Sequence, residues 1–232
     1  HEAITSLREK GVEITDNEAT AAMAAILLHD VGHGPFSHVF EEVGMLPKGM
    51  SHEDISLMMM YEIRDWFSSS HVALPKERAE VSSVMDMAIR IFKDEYDKHF
   101  LHQLISSQLD VDRLDYLCRD SFFCGVTEGS VASARILKMM NVKDDRLVVE
   151  VKGIYSVEKF LVARRLMYWQ VYLHHTSVAA EQVLIQILKR AKQLTANGVE
   201  LFCSPALRYF LLPNTSSPDT LIMNYAQLDD SD

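Results

Sequence analysis

The sequence predicts a mostly α-helical fold with one small β-hairpin, and three observations predict it. Nine glycines and six prolines are spread over 232 residues, about half the usual share, so long segments run without a breaker. Apolar residues recur at three- and four-residue spacing, as in Val111, Leu114, Leu117 and Cys118, which is one face of a helix. A single run, Leu147-Val148-Val149-Glu150-Val151 between Asp144-Asp145 and Gly153, reads as a strand and as half of a hairpin.

In chain order, Glu2 to Glu9 reads as a helix closed by Lys10-Gly11. Thr15-Asp16-Asn17-Glu18 has the capping-box form, so the next helix is expected from about Asp16 to Asp30. Gly32, Gly34 and Pro35 then break it and bend the chain back. A short helix is expected over Ser37 to Val43, ended by Gly44, followed by a loop over 45–51. Further helices are expected from His52 to about Phe67, Pro75 to Phe92, His102 to Ser107, Asp110 to Asp120 and Ser130 to Met140. One long helical stretch should run from Ser156 to about Ala196 with a bend near Thr176, and a last helix should start near Pro218. No internal repeat or low-complexity segment stands out.

Composition narrows the partners. At 48% hydrophobic and 24% charged residues the chain is ordinary for a globular protein. A formal net charge of −10 makes nucleic acid a poor default partner, although a metal and a few arginines still give an acidic protein a foothold on a polyphosphate. Cys118, Cys124 and Cys203 have neither zinc spacing nor a disulfide framework, which fits a cytoplasmic location. The apolar runs fall short of the ~18 residues of a membrane span, and no signal peptide opens the chain. The start at His1 and the end at Asp232 suggest a piece of a longer protein.

The chemistry concentrates in Leu28-His29-Asp30-Val31-Gly32-His33-Gly34-Pro35-Phe36-Ser37-His38. Three imidazoles and a carboxylate follow an apolar run, where burying them is costly unless they are paired or ligated. His29 and Asp30 can turn an imidazole nitrogen and a carboxylate oxygen toward one divalent cation, and the bend lets His33 and His38 face the space above it. A pair of hydrogen-bonded core histidines is the plainer alternative, and it leaves most of the cluster unexplained. Three more pieces join it. His52 opens a helix, Asp110-Val111-Asp112-Arg113-Leu114-Asp115-Tyr116-Leu117-Cys118-Arg119-Asp120 gathers four carboxylates and two guanidiniums, and Arg164-Arg165 and Tyr172 lie close to one helix face. His99, His102 and the pair His174-His175 read as structural, and Met58 to Met60 as a core stripe.

On these phrases the chain resembles the HD-domain phosphohydrolases. More narrowly it is similar to bacterial relatives of the deoxynucleoside triphosphate triphosphohydrolase that joins a SAM domain to an HD domain. The matching phrases are Ala25 to Phe40, His52 to Ser56 and Gln103 to Val126, with a weaker match over Ile154 to Thr176. The resemblance implies an HD-domain helical fold over 1–180 and a truncated helical extension over 181–232. It implies His29, Asp30 and Asp112 as metal ligands, while the family's first ligand, a histidine in an Arg-x-x-His-Ser phrase, would lie before His1.

Two imidazoles and two carboxylates suit Fe, Mn, Zn, Ni, Co or Mg, and the sequence does not choose among them. The reaction implied is attack of water on the α-phosphorus of a deoxynucleoside triphosphate, releasing deoxynucleoside and triphosphate. By resemblance His38 is the general acid with Glu41 as its orienting partner, and His33 and His52 line the triphosphate site. Arg164 is placed on phosphate, Tyr172 near the sugar, and Tyr116 and Asp120 at the triphosphate–sugar junction. Arg164 also reads as a solvated helix charge and Tyr172 as core. Asp110, Arg113 and Asp115 are expected to orient the ligands. The partners implied are a nucleotide substrate, an allosteric nucleotide and further copies of the chain, with no membrane. The alternatives are another HD phosphohydrolase, a nucleotidase or phosphodiesterase, and a catalytically silent HD module. The cyclic-dinucleotide enzymes' Gly-Tyr-Pro signature is absent, and so is the Glu-Asp pair that follows His-Asp in guanosine-tetraphosphate hydrolases.

Overall fold

The computed structural model describes residues 1–36, 38–69, 74–212 and 218–231. Among them lie twelve α-helices and one two-stranded antiparallel hairpin. The helices are α1 (Glu2–Glu9), α2 (Asp16–Leu28), α3 (His38–Glu42), α4 (His52–Ser69), α5 (Pro75–Phe92), α6 (His99–Ile105), α7 (Val111–Cys124), α8 (Ser133–Met139), α9 (Ile154–Met167), α10 (His175–Ala196), α11 (Pro205–Leu211) and α12 (Pro218–Tyr225). The strands are β1 (Met140–Lys143) and β2 (Arg146–Val149). No described helix is long and apolar enough to cross a membrane.

Contacts divide the chain into two compact units, one of residues His1–His29 and Ile63–His174, the other of Asp30–Glu62 and His175–Asp232. In unit one, α2 packs mainly on α5. Its buried face is Ala21, Ala22 and Ala25, and side chains this small let the backbones approach closely. The expected capping box is present. Thr15 Oγ1 accepts from the Glu18 amide at 3.2 Å, and Glu18 Oε2 accepts from the Thr15 amide at 2.7 Å. Glu18 is also buried and takes hydrogen bonds from Lys98 at 2.8 Å and Tyr96 at 2.9 Å. These partners outweigh burial and hold its carboxyl below the usual range, while burial and the nearby carboxylate push Tyr96 up to about 12.

Several elements depart from the sequence reading. Helix α2 stops at Leu28, two residues early, and His29 is its C-cap. The strand ends at Val149 because Val151–Gly153 forms a 3₁₀ turn, with Val151 exposed. Asp144 and Asp145 both take positive φ, 52° and 58°, as a two-residue hairpin turn requires. The long stretch after Ser156 divides into α9, a π turn over Tyr168–Tyr172, and α10. Helix α11 was not expected, although Ser204 caps it and Pro205 opens it. Ser37, expected to begin the third helix, lies outside the described residues.

Unit two has its own core. Val39, Phe40 and Val43 from α3 and its exit, and Ile55 from α4, pack with Ile185, Phe210, Leu211, Leu221 and Tyr225. The rings of Phe40, Phe210 and Tyr225 meet edge to face with centroids 5.3–5.9 Å apart, the favoured geometry for aromatic neighbours. Met60, in the Met58–Met60 stripe of α4, is fully buried.

Candidate functional site

In unit one, the His29 side chain leaves the end of α2 with Nδ1 2.7 Å from the Ile26 carbonyl. A carbonyl only accepts, so Nδ1 carries a proton, and Nε2 is the ring nitrogen left to face a cation. That nitrogen lies 3.6 Å from Oδ1 of Asp112. Two lone-pair donors at this spacing, one already steered by a backbone carbonyl, fit a divalent cation. Asp112 sits in the first turn of α7, and the buried Asp110 caps that helix. Asp110 accepts from the amides of Arg113 at 2.7 Å and Ser107 at 2.9 Å, and pairs with the Arg113 side chain at 3.1 Å. Burial nevertheless pushes the Asp110 carboxyl up. Asp115 turns outward to pair with Arg119 at 2.9 Å.

The four residues expected to bind substrate also gather in unit one. Tyr172 donates its hydroxyl to Asp120 at 2.7 Å, and its ring lies 6.2 Å from that of Tyr116. Burial and the Asp120 carboxylate raise the Tyr172 phenol. Tyr168 stands 5.3 Å from Tyr172, and the Arg164 guanidinium lies 5.7 Å from the Tyr168 ring. Tyr168 went unnoticed in the sequence. Tyr168 and Tyr172 are four residues apart, a spacing that already makes them neighbours on an ordinary helix, so the i,i+4 pattern is the signal that could have found Tyr168.

In unit two, the bend after Asp30 is held against α4. The Gly32 amide donates to Ser56 Oγ at 2.9 Å, and the Gly32 carbonyl accepts from the Tyr225 hydroxyl at 2.7 Å. A Cβ on Gly32 would lie 2.1 Å from the His52 carbonyl oxygen and 2.3 Å from the Ser56 nitrogen, so only glycine fits. Three imidazoles collect as a result. His33 stacks on His52 with centroids 4.0 Å apart and planes 17° apart, and His38 stands edge-on to both at 5.2 and 5.4 Å. Asp30 Oδ1 lies 3.5 Å from His33 Nε2.

Glu41 accepts from both the backbone amide and Nδ1 of His52, the latter at 2.8 Å. His38 is farther, 3.8 Å from the other carboxylate oxygen, beyond a normal hydrogen bond. Glu41 therefore orients His52 directly and meets His38 only through charge, which differs from the pairing expected from the sequence. Burial alone would raise the Glu41 carboxyl, but the His52 bonds and the nearby imidazoles keep it below its ordinary value. Of the histidines read as structural, His102 Nδ1 lies 3.0 Å from the Ile91 carbonyl and His99 Nδ1 contacts Asp94.

The family model for the HD domain matches residues 5–120. This chain belongs to the HD-domain family. An HD-associated region follows over residues 131–202. An uncharacterised Bacillus subtilis protein, YwfO, is 36% identical over 94% of this chain and 47% of its own length. The Dictyostelium discoideum protein named deoxynucleoside triphosphate triphosphohydrolase SAMHD1 homolog is 29% identical over 78% of this chain and 35% of its own. A crystal structure of a phosphohydrolase from Bacteroides thetaiotaomicron matches with 58% identity and a TM-score of 0.86, covering 100% of this chain and 55% of that one. The HD-domain chain thus spans about half the length of the first curated relatives it matches.

Proposed function

We propose that this HD-domain chain is the catalytic portion of a metal-dependent phosphohydrolase that cleaves deoxynucleoside triphosphates to deoxynucleoside and triphosphate. The observation that carries the metal reading is His29. Its Nδ1 is tied to a backbone carbonyl while Nε2 lies 3.6 Å from Asp112, 83 positions further along the chain. Asp30, the next residue after His29, completes the proposed donor set of this chain. A divalent ion held there would supply Lewis-acid polarisation of a phosphoryl oxygen and a more acidic water.

The remaining roles belong to side chains. His38, 68% exposed and only loosely paired, is free to turn and give a proton to the leaving 5′ oxygen as the bond to the α-phosphorus breaks. His33 and the Glu41-held His52 donate to phosphate oxygens. Arg164 neutralises phosphate charge, Tyr116 and Asp120 flank the triphosphate–sugar junction, and the Asp120-fixed ring of Tyr172 packs against a sugar and disfavours a 2′-hydroxyl. The similarity to proteins named deoxynucleoside triphosphate triphosphohydrolases supports this substrate class.

The test is product analysis. Incubation with each deoxynucleoside triphosphate and a divalent metal should release inorganic triphosphate, and Asp112→Asn should lose the ion proposed at His29 and the activity together. Release of orthophosphate from nucleoside monophosphates, with triphosphates untouched, would replace this reading by a nucleotidase.

A further inference from the structure

We propose that His33, His38 and His52 form a second cation site, inside unit two, that takes a borderline transition metal such as Zn²⁺. This goes beyond the hydrolase reading and does not rest on it, because it needs only residues of one compact unit. Each of the three histidines offers a ring nitrogen, and these nitrogens all lie within 4.8 Å of one another. Donors on a tetrahedral zinc with bonds near 2 Å stand roughly 3.3 Å apart. The gap is small, and His38, 68% exposed at the start of α3, has room to close it.

The donor chemistry selects the ion. Three imidazole ligands, with the Asp30 carboxylate 3.5 Å from the His33 ring, suit Zn²⁺, Co²⁺, Ni²⁺ or Cu²⁺ better than Mg²⁺, which prefers an all-oxygen shell. The surroundings fit as well. Nδ1 of His52 is bonded to Glu41 at 2.8 Å, which leaves Nε2 as the ligand and supplies the carboxylate–imidazole pair that steers metal-binding histidines. The stacking of His33 on His52, 17° from parallel, holds two of the three rings side by side before any ion arrives. A nitrogen bound to a metal cannot also donate a proton, so if the proposed hydrolysis holds, Zn²⁺ at this site would block His38.

The experiment is a count of bound ions on the 232-residue chain, by Co²⁺ absorption titration and by Zn²⁺ equilibrium dialysis. Asp112→Asn should still bind one Zn²⁺ that excess Mg²⁺ does not displace. Adding His38→Ala, at an exposed position that folding does not need, should weaken that ion ~10-fold or more, and Glu41→Gln should weaken it ~10–100-fold. If Asp112→Asn does not fold by circular dichroism, the wild-type chain serves, with two ions expected to fall to one on His38→Ala. An Asp112→Asn chain that folds and binds no Zn²⁺, or a Zn²⁺ affinity unchanged by His38→Ala, overturns the proposal. Failure to hydrolyse nucleotides would leave this ion count standing, and a missing second ion would leave the hydrolase reading standing.

Discussion

His38 and His52 stand beside the same carboxylate but are held differently, and the difference separates their responses to mutation. His52 gives both its backbone and its ring N–H to Glu41, so its position is fixed before substrate arrives. His38 is largely exposed and 3.8 Å from that carboxylate, so little of the fold depends on it. His38→Ala should therefore leave the melting temperature near wild type, and with it the ion proposed at His29 and Asp112. It should lower kcat about 10²–10⁴-fold, as expected for a lost general acid. Because such a group acts only in the transition state, kcat and kcat/KM should fall together. Steady-state kinetics showing a raised KM with unchanged kcat would move His38 to substrate positioning. At this scale the sequence pointed to these side chains but not to who holds whom. Glu41 lies three residues from His38 and eleven from His52, and the resemblance named only the nearer histidine, while the direct hydrogen bonds go to the farther one.

At the scale of elements, two segments set the site and each can be tested. The bend after Asp30 depends on Gly32, where an added Cβ would meet the His52 carbonyl at 2.1 Å. That neighbour is backbone and cannot yield cheaply. Gly32→Ala should cost about 1–3 kcal/mol in chemical denaturation, in the range of other overpacked sites, and should disturb the His33–His52 stack with it. Helix α2 rests on Glu18. Glu18→Gln keeps the capping-box shape but removes the charge facing Lys98. The carboxyl is depressed in the folded state, so its contribution is present above the ordinary value near 4.5 and is lost as pH falls through the lower folded value. The wild-type chain should lose stability over that acid window, and Glu18→Gln should show a flatter curve in melts from pH 6 to pH 3. Equal acid slopes in the two chains would remove Glu18 as the cause.

The starts of α2, α5 and α12 were legible because Thr15-x-x-Glu18, Pro75 and Pro218 are explicit local signals. The α9–π–α10 break was misplaced because Tyr168-Trp169-Gln170-Val171-Tyr172 carries no Gly or Pro. Helix α11 was lost among prolines and serines, although Ser204-Pro205 is itself a start signal.

For the whole molecule, the order of residues along the chain and the order of packing differ. Residues 30–62 share a core with residues 175–232, so the three imidazoles rest on a foundation supplied largely from the far end of the chain. A chain shortened to residue 180 would lose Ile185, Phe210, Leu211, Leu221 and Tyr225 from around Phe40. Removing one large buried side chain typically costs about 2–5 kcal/mol, and several at once exceed what a small core can spare. The shortened chain should show unfolded or aggregated unit-two segments by size-exclusion chromatography and protease digestion. A monomeric chain of 180 residues with protected residues 38–62 would contradict this account.

The Tyr225–Gly32 hydrogen bond spans 193 positions, and this gives the site a history during synthesis. At ~5–20 residues per second on the ribosome, Gly32 is made about 10–40 s before the tyrosine that pins its carbonyl. For that interval the histidines of the bend are present in the nascent chain without the anchor that α12 supplies. A ribosome-stalled chain ending at residue 200 should therefore leave His33 and His38 open to chemical labelling by diethyl pyrocarbonate, and a stalled chain with all 232 residues clear of the exit tunnel should label more slowly at His33.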